Sequence, residues 1–371
     1  MKSDRVFISC GGTGGHFFPG LSIARELKKR GSEVKLLLSG VNSVRQSADA
    51  EKQGIPSAVL PRMPSPGKNP LRLLQFAWGL AGGFFQMLRL FGRERPDYLL
   101  IMGSFASAPA YLAAFFRRVP VILHDGNARI GRANRLMSRR ARFLGTAFPA
   151  VNASACRCPV LCTGMPVRPE LEEKRRITKT EAAAGLNAEF GLGFSDKVFT
   201  FLIFGGSQGA ATFNRNLPEA LASAGRSDFQ VLHLTGKGKL EETLKLYEKC
   251  TFPRLVIESS PRMELFLGCA DTVFCRSGGS SVAELALFGK SAVLIPYPYA
   301  AEKHQNDNAE FYVSSGAAEL IEDREFTVER ARETLLKLLN DPELNARRAA
   351  AAGSAAKPDA AAALLEHIAA L

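Results

Sequence analysis

Short runs of aliphatic and β-branched residues alternate with segments of helical spacing through the first half of the chain. The segments between most of these runs repeat apolar positions every three or four residues, beginning with 21–30. The runs lie at 6–9, 34–38, 58–60, 98–102, 119–123 and 142–147. Alternation of strand and helix signals predicts a parallel sheet covered by helices on both faces.

The same pattern starts again after a polar segment at 170–179. The later strand-like runs lie at 198–204, 231–234, 255–258, 272–275 and 292–295. A chain of 371 residues exceeds the usual size of a single core. We therefore predict two similar doubly wound α/β halves joined near 165–170, with ligands at the carboxyl ends of the strands.

Two other apolar segments need a separate interpretation. Residues 98–116 carry no charge, but Gly103, Ser104 and Pro109 interrupt them. We predict a buried strand, a loop and a core helix there rather than a transmembrane span. The alanine-rich tail from residue 346 predicts helix.

Composition narrows the class of partner. The formal charge of +12 favours an anionic partner: nucleic acid, a phospholipid surface or a phosphorylated substrate. The seven cysteines, an odd number, and the absence of an export signal predict reduced thiols in the cytoplasm. Cys156, Cys158 and Cys162 lack the paired spacing of a zinc site, so no metal is predicted.

A glycine-rich turn, Cys-Gly-Gly-Thr-Gly-Gly-His at 10–16, follows the first strand and precedes a helix. Such a turn lets backbone N–H groups meet an anion. No Gly-Lys-Ser/Thr closes it as in a nucleoside-triphosphate loop, and the second strand ends at 36–42 without the carboxylate of a nicotinamide site. The alternative is that its glycines serve only helix–strand packing.

Similar turns follow two strands of the second half, at 205–209 and at 275–284. Three anion-type turns favour a phosphate-rich ligand. Glu284 could accept hydrogen bonds from ribose hydroxyls or could cap its own helix. His304 and Gln305, in the polar run 302–309, are either sugar ligands or a polar helix start.

The motifs occur together in one order: 11–19, Thr-Gly-Met-Pro-Val-Arg at 163–168, 205–210, 275–278 with Glu284, and 304–305. In this combination the chain resembles the MurG-type N-acetylglucosaminyltransferases, GT-B enzymes of glycosyltransferase family 28. The resemblance implies an α/β fold of two Rossmann-like doubly wound domains facing across a deep cleft. Domain 1–166 would bind the lipid acceptor and the membrane, and domain 167–342 would bind UDP-GlcNAc. The helical tail 343–371 would pack back on the first domain.

The implied reaction is the inverting transfer of GlcNAc from UDP-GlcNAc to the 4-hydroxyl of MurNAc in undecaprenyl-linked lipid I, giving lipid II. No cofactor beyond the donor substrate is expected, and no D-x-D carboxylate pair is present. Expected partners are UDP-GlcNAc, lipid I, an anionic membrane surface and other cell-wall synthesis proteins, with no nucleic acid. The implied setting is peripheral, on the cytoplasmic face of the inner membrane, in cell-wall biogenesis, cell shape and division.

The resemblance also assigns the site residues. His16 would be the catalytic residue, either as the base that accepts the acceptor hydroxyl's proton or as a ligand of an anion. The residues implied to bind UDP-GlcNAc are Thr13, Gly14, Gly15, Asn127, Arg168, Ser207, Ser260, Gly279, Ser280, Ser281, Val282, Ala283, Glu284, His304 and Gln305.

Two positions depart from the family pattern. The family's His-Glu-Gln-Asn is His-Asp-Gly-Asn at 124–127, which shortens one side chain and removes an amide. Ser260 replaces an aliphatic residue that is usual at the uracil site.

A membrane-contacting patch is predicted in the apolar, cation-flanked segment 68–93. Its predicted members are Leu71, Leu74, Phe76, Trp78, Phe84 and Phe85. With the arginine-rich segment 117–142 they suit a peripheral protein on an anionic leaflet. The alternative is that these side chains belong to the core. For the whole chain, the alternatives are another GT-B enzyme such as a UDP-GlcNAc 2-epimerase and a non-catalytic protein that binds nucleotide sugars.

Overall fold

The computed structural model describes residues 4–64, 69–206 and 208–370. Within them the chain forms two compact α/β units. Unit 1 runs from the amino terminus to Arg168 and resumes at Asp359, and unit 2 is Pro169–Pro358.

Unit 1 is built on one parallel sheet. Its strands are β1 (Arg5–Gly11), β2 (Glu33–Ser39), β3 (Ser57–Val59), β4 (Tyr98–Ile101), β5 (Val121–Asp125), β6 (Ala141–Thr146) and β7 (Val160–Cys162). They lie in the order β3-β2-β1-β4-β5-β6-β7. The helices are α1 (Gly14–Lys29), α2 (Ser43–Glu51), α3 (Pro70–Arg93), α4 (Ala108–Phe116) and α5 (Arg132–Met137).

Unit 2 repeats this architecture. Its strands are β8 (Phe199–Phe204), β9 (Phe229–Leu234), β10 (Arg254–Ile257), β11 (Thr272–Cys275), β12 (Ser291–Leu294) and β13 (Ala318–Leu320), in the order β10-β9-β8-β11-β12-β13. Its helices are α6 (Pro169–Glu173), α7 (Lys179–Phe190), α8 (Ala211–Ala222), α9 (Leu240–Leu246), α10 (Met263–Cys269), α11 (Gly279–Leu287), α12 (His304–Ser314), α13 (Val328–Asn340) and α14 (Pro342–Ala355). The predicted pair of doubly wound α/β halves is thus confirmed.

The central strands are continuous apolar runs because helices cover both faces of each sheet. Residues on the two faces of β1 illustrate this: Ile8 belongs to one buried cluster and Phe7 to another. In each sheet the strand order reverses beside the first strand, between β1 and β4 and between β8 and β11. Ligands of doubly wound sheets bind at such reversal points, at the carboxyl ends of the strands.

Three details differ from the sequence-based expectation. Strands β7 and β13, each a three-residue edge strand, were not predicted. Helix α1 begins at Gly14, seven residues before the predicted start. Pro19 lies inside this helix, where it has no N–H to donate to the carbonyl of Gly15.

The tail 343–371 is divided between the two units. Helix α14 belongs to unit 2, where Asn345 accepts a hydrogen bond from Thr272 (2.9 Å) and Arg348 pairs with Glu319 (3.1 Å). Only the last helix, α15 (Ala360–Ala369), packs on unit 1, with Leu364 and Leu365 buried in the cluster around β1. The prediction that the whole tail packs on the first domain was therefore wrong for 343–358, whose polar partners lie in unit 2.

Residues 98–116 form β4, a short 3-10 turn at Phe105–Ser107 and α4, as predicted. In the part of the chain that the structure describes, no helix combines the length and the apolar character needed to cross a bilayer.

Candidate functional site

The opening glycine turn joins β1 directly to α1 at the reversal point of the first sheet. Gly11 and Gly12 have positive φ angles of 126° and 84°, which side-chain-bearing residues rarely adopt. Asn42 donates to the carbonyl of Gly12 (2.8 Å) and holds the turn. Thr13 is the N-cap of α1, and Thr13, Gly14 and Gly15 are exposed. The first N–H groups of a 16-residue helix therefore face outward, in the arrangement that binds anions.

His16 lies in the first turn of α1 and is oriented by the neighbouring strand. Its Nδ1 is 2.8 Å from the carbonyl oxygen of Met102, the residue after β4. Because a carbonyl can only accept, Nδ1 carries the proton, and in the neutral ring Nε2 carries the lone pair. A Cβ on Gly103 would be 3.4 Å from the ring, so this glycine lets the ring approach the backbone. This tautomer is the one that a general base acting through Nε2 needs.

The predicted His-Asp-Gly-Asn motif spans the end of β5 and the start of the loop that follows. Asp125 is buried and accepts from the backbone N–H of Asn127 (3.1 Å) and of Gly131 (2.9 Å). It also accepts from the side chains of Asn127 (3.3 Å) and Asn134 (2.9 Å). Both oxygens are therefore engaged in shaping the loop, and Asp125 fixes the position of Asn127.

His124 of the same motif is buried, and its Nε2 lies 2.9 Å from the carbonyl oxygen of Gly164. Burial lowers the pKa of His124 below the ordinary value, against the opposing effects of the Gly164 carbonyl and Asp125, and nearby His16 lowers it further. His124 is thus a neutral structural donor that ties β5 to the segment following β7.

Asn134 was not predicted from the sequence. Its Nδ2 donates to the backbone oxygen of His124 (3.1 Å) as well as to Asp125, and the side chain is buried. A lone asparagine in a short helix gives no pattern that would reveal this role.

Gly126 occupies the place of the family's glutamine. A Cβ there would be 3.1 Å from the Cε of Met165, so Met165 fills the space beside it. Arg168, predicted to face the diphosphate, has its guanidinium 5.3 Å from the ring centre of Phe18 in α1. Arg168 is thereby held against the first turn of α1, and its role toward the diphosphate stays a prediction.

The second glycine turn connects β8 to α8 at the reversal point of the second sheet. Its backbone is tightly packed: a Cβ on Gly205 would be 2.2 Å from the nitrogen of Ala210, and one on Gly209 would be 1.9 Å from the carbonyl oxygen of Thr235. Lys239 donates to the carbonyl of Gln208 (2.7 Å). The predicted site residue Ser207 lies outside the described residues.

The third turn leads from β11 into α11. Gly278 is the N-cap, and the predicted residues Gly279, Ser280, Ser281, Val282, Ala283 and Glu284 form the first six positions of the helix. Gly279 and Val282 are buried, and the other four are half-buried. Glu284 is thus one turn too far along to cap its own helix, which favours the ligand interpretation over the capping one.

His304 and Gln305 begin helix α12 and lie beside this third turn. The buried Ser277 hydroxyl donates to the backbone oxygen of Gln305 (2.8 Å), and Asn308 donates to the carbonyl of Ser277 (3.0 Å). The side-chain oxygen of Gln305 accepts from the N–H of Tyr297 (2.9 Å). The start of α12 is therefore hydrogen-bonded to the third turn.

The backbone before α12 is strained. Glu302 and Lys303 have φ angles of 51° and 53°. Two consecutive non-glycine residues in the left-handed region cost of order 1–3 kcal/mol each, and such strain is typical of functional sites. His304 follows immediately, with Nδ1 2.8 Å from the carbonyl oxygen of Ala301.

Ser260, the predicted uracil residue, follows β10, which β9 and β8 separate from β11. Its hydroxyl accepts from the N–H of Arg262 (3.0 Å) and so closes its own turn. The Ser260 hydroxyl is thus engaged within its own turn, and recognition of uracil by the Ser260 main chain stays a prediction.

The predicted membrane patch lies on α3. Leu71, Leu74, Trp78 and Phe85 are exposed, and Trp78 retains 73% of its accessible surface. Phe76 and Phe84 are half-buried, and the Phe84 ring meets Phe116 of α4 at 5.4 Å. Four of the six predicted patch residues are therefore not part of the core.

The patch continues onto α4, whose end exposes two further aromatic side chains, Phe115 and Phe116. Arg140 lies 4.9 Å from the ring centre of Phe115. Arg117, Arg118 and Arg139 are also exposed. The apolar surface is therefore bordered by cations.

Within residues 4–64, 69–206 and 208–370, no group of three or more histidine, cysteine, aspartate or glutamate side chains is arranged to hold an ion.

Comparison with known proteins covers both units. Residues 6–145 match the glycosyltransferase family 28 N-terminal domain, and residues 200–364 match the C-terminal domain of the same family. The chain is 33% identical to the UDP-N-acetylglucosamine–N-acetylmuramyl-(pentapeptide) pyrophosphoryl-undecaprenol N-acetylglucosamine transferase of Sinorhizobium fredii, over all of this chain and 96% of that one. It is 34% identical to the protein of the same name from Hahella chejuensis, over 97% and 96% of the two chains.

Solved structures give the same result. The crystal structure of Acinetobacter baumannii MurG matches with a TM-score of 0.78 and 27% identity, over 99% of this chain and all of that one. The UDP-GlcNAc 2-epimerase of Neisseria meningitidis matches with a TM-score of 0.71 but only 14% identity, over 99% of this chain and all of that one, which is a likeness of fold alone. The two domain matches and the full-length relatives establish that the chain belongs to glycosyltransferase family 28.

Proposed function

We propose that this chain transfers N-acetylglucosamine from UDP-GlcNAc to the muramyl sugar of an undecaprenyl-diphosphate-linked acceptor, converting lipid I to lipid II. The observation that carries the proposal is its similarity, over essentially the full length, to transferases that bear this name. The epimerase alternative has a likeness of fold only.

In the proposed mechanism, the 4-hydroxyl of MurNAc attacks the anomeric carbon of the donor sugar from the face opposite UDP. The new C–O bond forms as the bond to the diphosphate breaks, so the configuration inverts and UDP departs. Nε2 of His16 takes the hydroxyl proton, because Nδ1–H is committed to Met102. A positioned base of this kind contributes about 10²–10⁴-fold to the rate.

The leaving diphosphate gains negative charge, which the protein must stabilise. We assign this task to the exposed start of α1, to Arg168, and to Ser207 with the Gly205–Gly209 backbone. Glu284 would hold the ribose hydroxyls, Gln305 and His304 the sugar, and the main chain at Ser260 the uracil. No step is assigned to a metal, so EDTA should leave turnover unchanged.

The decisive experiment supplies radiolabelled UDP-GlcNAc with and without a lipid I analogue. The proposal expects label in the lipid product and UDP release that depends on the acceptor. Epimerised sugar without acceptor would favour the epimerase alternative, and tight donor binding without either product would favour a non-catalytic binding protein.

We also propose that the chain works on the cytoplasmic face of the cell membrane, held there by the patch on α3 and α4. The exposed apolar side chains would enter the interface, and the bordering arginines would attract anionic headgroups. The sequence contains one tryptophan, Trp78, at the centre of this patch. Its fluorescence is therefore a local reporter of membrane contact.

Trp78 emission should shift to the blue with phosphatidylglycerol vesicles, and salt should reverse the shift. The substitutions Leu74→Ser and Phe116→Ser should weaken vesicle binding, whereas Leu244→Ser, at an exposed leucine of unit 2, should not. Equal binding to neutral phosphatidylcholine vesicles would contradict the electrostatic part of the proposal.

A further inference from the structure

A fully hydrogen-bonded row of polar side chains lies inside unit 2 and has no part in the mechanism above. Tyr247 and His233 have no accessible surface, and Asn214 is 8% exposed. His233 Nδ1 lies 2.9 Å from the Tyr247 hydroxyl, and its Nε2 lies 3.0 Å from Oδ1 of Asn214. Nδ2 of Asn214 lies 2.9 Å from the carbonyl oxygen of Thr235.

The donor and acceptor of each hydrogen bond can be assigned by starting from the end of the row, the carbonyl of Thr235. The Thr235 carbonyl can only accept, so the Asn214 amide donates to it and presents its oxygen to His233. Nε2 of His233 therefore carries a proton, and Nδ1 accepts from the Tyr247 hydroxyl. Burial lowers the pKa of His233 to about 3, which keeps the ring neutral in this tautomer near neutral pH.

The row ends on the carbonyl group against which the second glycine turn is packed. A Cβ on Gly209 would be 1.9 Å from that Thr235 oxygen, and a Cβ on Gly236 would be 2.4 Å from the nitrogen of Gly209. The backbones of the two segments are therefore in direct contact, and the position of Thr235 limits the position of the turn.

Asn214 also holds the turn from its other side. It lies in the first turn of α8, where its N–H donates to the carbonyl of Ala210 (3.0 Å). One side chain thus joins the helix that leaves the turn to the strand end that supports it.

Three buried polar side chains are a poor way to obtain stability alone, because each must recover its desolvation cost through hydrogen bonds. What these hydrogen bonds provide is a defined geometry, because they hold the carbonyl group of Thr235 in one position. A turn that stabilises developing charge with backbone N–H groups needs such fixed geometry.

We infer that Asn214, oriented by His233 and Tyr247, is a positioning residue that sets the Gly205–Gly209 turn for the diphosphate of the donor. The inference rests on the proposed function, in which this turn receives UDP-GlcNAc. Asn214 acts through the backbone and is not itself expected to touch the substrate.

The test is steady-state kinetics of Asn214→Leu, which keeps a similar volume and removes both hydrogen bonds. The KM for UDP-GlcNAc should rise about tenfold or more and kcat should fall as well, because the turn faces the diphosphate both in the bound donor and as it departs; the acceptor KM should stay within about threefold of that of the unchanged chain. His233→Gln is the conservative variant: its amide can still donate to Asn214, so the donor KM should stay close to the original value.

Tyr247→Phe and Tyr312→Phe form a matched pair. Tyr312 is another fully buried tyrosine of unit 2, and its hydroxyl donates to the carbonyl of Lys290 (2.8 Å), away from the glycine turn. Both variants lose one buried hydrogen bond, but only Tyr247→Phe should raise the donor KM, by about threefold. This pair keeps the test decisive if Asn214→Leu fails to fold.

A lower melting temperature with an unchanged donor KM in Asn214→Leu and Tyr247→Phe would overturn the inference and reduce the row to a stabilising feature. Equal increases in the donor and acceptor KM values would overturn it as well. If the unchanged chain neither binds nor consumes UDP-GlcNAc, the proposed function itself fails, which is a different and distinguishable result.

Discussion

The two units use the same strand, glycine turn and helix at the reversal point of each sheet, but the two turns differ in packing. In unit 1, a Cβ on Gly14 would meet only the side chain of Phe18, at 3.3 Å, and one on Gly15 would come no closer than 3.8 Å to Thr13. In unit 2, a Cβ on Gly205 or Gly209 would collide with backbone. The helix-side glycines of the first turn are therefore open, whereas Gly205 and Gly209, at the two ends of the second turn, are closed against backbone.

Two histidines, one from each unit, show the same contrast. His16 is half-buried and oriented through Nδ1, so Nε2 has the lone pair for proton transfer. His233 is fully buried, and both of its nitrogens are used in an internal row. The same fold thus holds one histidine at the surface of the first unit and the other inside the second unit.

The largest effect should come from removing the side chain of His16, the proposed base. His16→Ala should lower turnover by about 10²–10⁴-fold, because the acceptor hydroxyl loses its base. UDP affinity, measured by calorimetry, should change little. His367→Ala, at an exposed histidine of α15, is the matched control and should turn over normally. Near-normal turnover of His16→Ala would remove this residue from the base role.

The closed turn is tested by adding one methyl group. Gly209→Ala should destabilise unit 2 by about 3 kcal/mol or more, since it combines a positive φ of 65° with a backbone collision. Gly225→Ala has nearly the same φ, 67°, in open space, and should cost only about 1 kcal/mol. Denaturant unfolding of the two variants measures the difference, and equal losses would mean that the turn is not closely packed.

The effect that is smallest near neutral pH concerns acid stability. Burial depresses the native pKa of His233 to about 3, so the native state excludes a proton that the unfolded state binds below about pH 6.5. Stability is therefore complete above that pH and is lost as the pH falls, by about 1.4 kcal/mol per pH unit for this residue. His233→Gln should reduce the slope in calorimetric unfolding, whereas an unchanged slope would contradict the burial of an uncharged ring.

Much of the fold could be predicted from the sequence because buried parallel strands are continuous apolar runs. Strand β11 has its predicted limits, and the other central strands differ by one or two residues at their ends. Edge strands β7 and β13, of three residues each, were missed, although the equally short edge strand β3 was predicted. The family resemblance is also confirmed, because it depends on the order of several motifs rather than on any single one.

Only part of the site could be predicted from the sequence. The residue roles taken from the family resemblance stay predictions. The sequence indicated the three turns, His16, Glu284 and Gln305, because glycine-rich and polar residues directly follow strand signals. It could not indicate that Asp125 is occupied by loop hydrogen bonds, that Asn134 supports the same loop, or that Asn214 supports the second turn. The partners of Asp125 and Asn134 lie within ten residues but form no periodic pattern, and Asn214 meets His233, 19 residues away.

The sequence by itself therefore determined the two α/β halves, the place of each glycine turn and the family. Local patterns suffice for these features, because hydrophobic periodicity and backbone freedom are properties of neighbouring residues. Only the tertiary structure decided which nitrogen of His16 carries the lone pair, which turn is open and which is closed, and where the tail divides. Each of these depends on a partner that packing brings close, such as Met102 for His16 and Thr235 for Gly209.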